Sequence, residues 1–106
     1  MARERTTDVA KLRKSGAGAL RLYVAGNAPN SLSAIANARA ICRDHAAEVG
    51  RPYELEIVDV LEHPKRALAD GIIVTPTLIK LSPAPSQRMV GNLSDTRQVL
   101  LTLGAK

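Results

Sequence analysis

The step Val74-Thr75-Pro76-Thr77-Leu78-Ile79 constrains this chain more than any other stretch. A β-branched run meets a proline and continues as an apolar segment. Proline has no amide hydrogen to give to a ladder, and it disfavours the helical region at the residue before it. Such a proline belongs at a strand start or an edge. Thr75–Pro76 is also the kind of bond that adopts the cis form at modest cost. The chain must therefore fold so that an apolar strand opens directly out of a loop at Thr75, Pro76 and Thr77.

The surrounding segments suit that requirement. Leu20, Leu22 and Val24 alternate with Arg21 and Tyr23, which reads as a first strand with one apolar face. Gly26-Asn27-Ala28-Pro29 ends it, and Asn30 or Ser31 can cap a helix over 31–49. Leu32, Ile35, Ala38, Cys42, His45 and Val49 form the expected apolar stripe of that helix, and Gly50 closes it. Residues 53–60 read as a second strand that ends apolar on both sides of Asp59, which suggests a central position in the sheet. Glu54 and Glu56 share one face of it and are expected to be solvated. Residues 63–70 suit a short helix with Pro64 in its first turn, and Gly71 stops it. A third strand is expected within Ile72–Leu81 and a short fourth over Gln87–Gly91. Ser94 is positioned to cap a last helix over 95–103. The run Val99-Leu100-Leu101-Thr102-Leu103 is equally competent as a strand, because short apolar runs are not assigned by period alone.

A chain of 106 residues is one domain with room for a single core. Its only aromatics are Tyr23 and Tyr53, so the core is built from Leu, Ile, Val and Ala, and the stacking platforms of single-strand nucleic-acid binders are missing. The net charge of +5 is uneven: residues 1–18 carry five basic against two acidic side chains, a net +3, and end in Ser15-Gly16-Ala17-Gly18. They read as a flexible basic arm, with the folded domain over 19–106. The arm attracts polyanions, but the balanced body makes nucleic acid a weak partner reading. One cysteine, Cys42, excludes a disulfide framework and a cysteine zinc cluster, and its place on the helix stripe marks it as a packing thiol. The first 18 residues hold no apolar run of signal-peptide length, and no stretch reaches the roughly 18 apolar residues of a membrane span. A cytoplasmic location is therefore expected. P-loop, dinucleotide and metalloprotease motifs are missing, so no enzyme activity and no cofactor or metal is expected.

The order β-α-β-α-β-β-α, with a Thr-Pro step opening an apolar strand, resembles the α/β thioredoxin-like fold. There the proline loop faces the loop after the first strand, which carries the redox cysteine pair. Here that loop is Gly26-Asn27-Ala28-Pro29-Asn30, without cysteine. A thiol–disulfide enzyme needs a low-pKa thiolate at this helix start. The scaffold is present without its chemistry, which leaves a thioredoxin-like stress-response or glutathione-binding protein as the alternative reading.

A closer resemblance runs through several separated blocks. Leu22 to Ser31, Ile57 to Leu61, Pro64, Val74 to Leu78 and Val90 to Ser94 look, in order and spacing, like the KaiB family of circadian-clock proteins, over about residues 19–103. The resemblance implies a non-enzymatic regulator that binds the N-terminal ATPase ring of the kinase-phosphatase KaiC and shifts its phosphorylation state, in a clock, an hourglass timer or a stress module. It implies a metamorphic chain, with a homo-oligomeric ground state differing in the C-terminal half. It also implies KaiA and a sensor histidine kinase as further partners. Lys80 and Arg88 match the basic positions that face KaiA, whereas Gln87 and Glu56 do not, which weakens that part. Thr102 stands where the cyanobacterial proteins carry glycine. By position, KaiC contacts are expected at Asn27, Pro29 and Asn30 in the first loop, and at Pro64, Asp70, Ile72 and Thr75 ahead of the Thr-Pro step.

Overall fold

A computed structural model describes residues 18–49, 53–82 and 85–103. Arm residues 1–17 lie outside these, and Gly18 already belongs to the first strand. Within the described residues four strands form one sheet: β1 (Gly18–Val24), β2 (Tyr53–Asp59), β3 (Thr77–Ser82) and β4 (Gln87–Val90). Among the described residues three helices cover it: α1 (Pro29–Val49), α2 (Pro64–Ala69) and α3 (Thr96–Thr102). The order across the sheet is β2-β1-β3-β4. β1 runs parallel to β2 and antiparallel to β3, and β3 is antiparallel to β4. A parallel pair cannot be joined by a tight turn, and α1 supplies the connection.

The alternation of β1 sorts the core into two layers, as its sequence implies. Leu20, Leu22 and Val24 face α1 and α3, packing with Ala34, Ala38, Ile41, Cys42, Leu78, Leu93, Val99 and Leu103. Tyr23 faces the other side, with Val58, Ala67 of α2 and Ile79. The ambiguous run at the C-terminal end is helical here, with Val99 and Leu103 buried.

Several expectations change. β2 is an edge strand, not a central one, and β1 and β3 occupy the centre. The burial of Val58, and the packing of Ile57 against the α1 layer, come from helices over both faces rather than from strands on both sides. Glu56 is not solvated but only 5% exposed. It lies directly across from Arg21 in the β1–β2 register, under α2. The buried stripe of α1 holds at Ala38, Cys42 and His45 and differs in the first turns, where Ser31 and Ala34 face inward while Leu32 is 52% exposed; the Val49 side chain lies outside the described residues. The cause is local. The helix begins at Pro29, so neither Asn30 nor Ser31 is its cap, and the Ser31 hydroxyl instead accepts a hydrogen bond from the Ala25 amide at 3.0 Å. That bond fixes residue 31 against the end of β1. At α3 the cap is Asp95 rather than Ser94, its carboxylate accepting from the Gln98 amide at 3.1 Å. β3 starts only at Thr77, leaving Ile72–Pro76 as a loop that bends over residues 74–76. The Thr75–Pro76 bond is cis.

Candidate partner-docking surface

The register places four loops at one end of the sheet. Val24 pairs with Asp59, Tyr23 with Thr77, and Thr77 with Val90. The β1–α1 loop, the β2–α2 loop, the cis-proline loop and the turn after β4 therefore leave from a common row. Asp59 joins the first two loops: one carboxylate oxygen accepts from the Gly26 amide at 3.1 Å and the Leu61 amide at 2.9 Å. Gly26 has φ +54, and a Cβ there would come within 3.1 Å of Leu61 Cδ1, so glycine suits both the conformation and the contact. The cis-proline loop is anchored by Thr77 Oγ1, which donates to the Val74 carbonyl at 2.6 Å, and by the Gly91 amide, which donates to the Pro76 carbonyl at 3.0 Å.

The expected site residues fall into three groups. Asn27, Pro29 and Asn30 are exposed on the β1–α1 loop and the first turn of α1, and Pro64 is exposed at the start of α2. Ile72 and Thr75 are half-buried, Ile72 packing toward Tyr23 and Val58, while Pro76 and Thr77 are buried. Asp70 is different, because its carboxylate turns inward over the sheet face. Its Oδ2 lies 2.6 Å from the Tyr23 hydroxyl and 3.1 Å from Arg21 Nη1. Arg21 Nε in turn donates to Glu56 at 2.9 Å, and Arg66 pairs with the other Glu56 oxygen at 2.8 Å.

This buried network sets its own protonation. Burial pulls the Glu56 carboxyl upward, but hydrogen bonds from Arg21 and Arg66 outweigh it and hold the group below its ordinary value. Asp70 is likewise held low, with burial overcome by the bonds from Tyr23 and Arg21. The Tyr23 phenol is pushed up to about 12 by burial and by the adjacent Asp70 carboxylate. Both carboxylates are thus committed to structural pairs at neutral pH.

Reading residue types in order missed the apolar part of this end. Leu61 is 71% exposed, Ile73 93% and Val74 48%, with Leu32 nearby on the first turns of α1 and Val90 exposed at the end of β4. Ile73 and Val74 look like strand core in the sequence because they are β-branched. Nothing local shows that the ladder begins three residues later. Exposed apolar clusters of this kind mark binding sites. Cys42 is not part of this surface: it is buried on the inner face of α1, where burial pushes its thiol up to about 11. It borders an open cleft of about 400 Å³ with Arg39 and Tyr53, at the β2 end away from the loops. Among the described residues no group of three or more His, Cys, Asp or Glu side chains could hold a metal ion. Among them, too, no helix is long and apolar enough to cross a membrane.

A thioredoxin-like sheet with a cis-proline loop and no redox cysteine meets a direct match in sequence. A family model described as the KaiB domain matches residues 21–105. The chain belongs to the KaiB family. It is 51% identical over 84 residues to circadian clock protein KaiB3 of Synechocystis sp., covering 79% of each chain. It is 46% identical to the circadian clock oscillator protein KaiB of Prochlorococcus marinus strain MIT 9313, covering 79% of this chain and 68% of the relative. Among solved structures, the N-terminal domain of Synechococcus elongatus SasA superposes with TM-score 0.65 at 27% identity, covering 82% of this chain and 83% of that one. Thioredoxin 1 of Thermosipho africanus reaches TM-score 0.65 at 17% identity over 81% of this KaiB-family chain and 90% of its own, which shows the shared fold alone. The relatives are named as clock proteins, and the role of this family member as a clock-type regulator rests on that kinship.

Proposed function

We propose that this KaiB-family protein is a non-enzymatic regulator that docks on the ATPase ring of a KaiC homologue through the cis-proline end of its sheet and thereby shifts the ring's phosphorylation state. The observation that carries this reading is the exposed apolar set Leu61, Ile73 and Val74 beside Asn27, Pro29 and Asn30, at the end where a thioredoxin would hold its cysteines. A surface with apolar anchors and a polar rim, and with no cysteine, is built for binding. Pro64, Ile72 and Thr75 border it, and they complete the proposed contact set with the first loop. The likeness to the SasA domain supports competition with a sensor histidine kinase for the same ring. We place this action in the cytoplasm, with a homo-oligomer as the resting form. The resting form differs in the C-terminal half, and a slow exchange between forms limits docking.

The test is size-exclusion chromatography with light scattering, with and without a purified KaiC ring from the same organism, followed over hours. The parent protein is expected to move from its own oligomer into a complex with the ring. Ile73→Ser, a change at a solvent-facing side chain, should weaken that complex by at least about tenfold without altering the thermal transition of the free protein. A parent protein that never joins the ring, whatever nucleotide is present, would remove the proposed function and leave the fold intact.

A further inference from the structure

Four elements converge on one joint, the turn from α2 into the docking loop. β1 supplies Arg21 and Tyr23 to the Asp70 carboxylate, at 3.1 and 2.6 Å. β2 supplies Glu56, which holds the other side of the Arg21 guanidinium. α2 supplies Arg66, whose side chain pairs with Glu56 and whose carbonyl lies 3.1 Å from the Tyr23 hydroxyl. That hydroxyl has one proton, and it goes to the closer, charged acceptor, Asp70. β4 supplies Arg88, which donates to the Asp70 and Gly71 carbonyls. Immediately after this joint, Gly71 turns with φ +68, and the Ile72 amide donates back to the Ala67 carbonyl at 2.9 Å. The far end of the loop is tied by the Val74 carbonyl to Thr77. Between the two anchors Ile73 is held almost wholly in solvent.

We propose that Asp70 is a positioning residue for partner docking and not a contact residue: with Arg21, Tyr23 and Arg88 it fixes the α2 end of the 71–75 loop so that Ile73 and Val74 are presented already ordered. This rests on the docking reading above. The Asp70 Oδ2 is held by two internal partners, Tyr23 and Arg21, which fix the carboxylate over the sheet before any ring subunit arrives, with 30% of the side chain left exposed. Ordering a loop before contact removes an entropy cost that would otherwise weaken the complex.

Two variants test the role. Tyr23→Phe removes only the hydroxyl, and Asp70→Asn removes the charge at equal size. Amide exchange is read at Gly71 and Ile72, whose N–H groups are bonded at 3.0 and 2.9 Å, and at β1 and β3 as the global reference. Binding to the purified KaiC ring is measured in parallel, with Ile73→Ser as the contact control. Positioning predicts that both network variants speed exchange at Gly71 and Ile72 by about tenfold and weaken binding by a similar factor, with the strands unchanged. Ile73→Ser should weaken binding and leave exchange at the joint as in the parent. Weakened binding by Asp70→Asn with unaltered exchange would make Asp70 a direct contact and overturn the proposal. So would faster exchange with undiminished binding, which would leave the joint a purely structural one. Loss of response at Ile73, or no complex with the parent protein, would instead strike the docking reading, and the positioning role with it.

Discussion

At the scale of single residues, the strongest statement concerns Glu56. It is a buried carboxylate between two guanidiniums, and removing one member of such a set leaves charge without compensation. Glu56→Gln is expected to destabilise the fold by about 3 kcal/mol, toward the low end for broken buried pairs because Arg66 is partly solvated and the amide keeps an acceptor. Urea unfolding followed by circular dichroism checks it, and a loss below about 1 kcal/mol would show that the set is not energetically coupled. Little of this was legible beforehand. Glu56 alternates with Leu55 and Ile57 as a solvated strand residue would, and its partners stand 35 positions before and 10 after it. What decides its fate is that α2 crosses its face. By contrast, the split of Leu20, Leu22 and Val24 to one face of β1 and Arg21 and Tyr23 to the other follows directly from the two-residue period of a strand.

At the scale of elements, α1 shows how one local bond resets the first turns of a helix. Its length and its helical nature follow from composition and spacing. Which residues its first turns bury depends on where it starts, where Ser31 accepts the Ala25 amide, while Ala38, Cys42 and His45 further along are buried as the spacing predicts. The proline loop was readable in position because Thr-Pro chemistry admits few placements, whereas the end of the ladder at Thr77 depends on the partner strands. The last helix stands on weaker ground. It has seven residues, a single capping side chain, and a sequence equally suited to a strand. Asp95→Ala should therefore cost about 1 kcal/mol, the usual worth of such a cap, and should speed amide exchange at Val99 and Leu103 more than in β1 or β3. Uniform acceleration across the sheet would show that α3 does not open separately.

At the scale of the molecule, the buried charges shape the response to pH. Glu56 and Asp70 are held low in the folded chain, so their stabilisation is complete above the ordinary carboxylate range and drains away as pH falls through their folded values. Tyr23 is held high, so its share is complete below the phenol's ordinary value of 10.0 and is lost as pH rises toward about 12. A plot of melting temperature against pH should be flat near neutrality and fall on both sides. Glu56→Gln should make the acid limb shallower, and Tyr23→Phe the alkaline one. An acid limb as steep in Glu56→Gln as in the parent would remove Glu56 from this account.

The strand order carries a further consequence for how the chain is made. β1 is the second strand of the sheet, yet one of its edges is completed only by β3, with Leu22 opposite Leu78, 56 residues further along. At ribosomal speeds β1 leaves the exit tunnel about 3–11 s before its second neighbour does. Through that interval β1, α1 and β2 are a half-built sheet with an open apolar margin. The newborn chain therefore passes through a stage in which its most hydrophobic strand is available to other chains, and companions that shield nascent edges have most to do before residue 78 emerges.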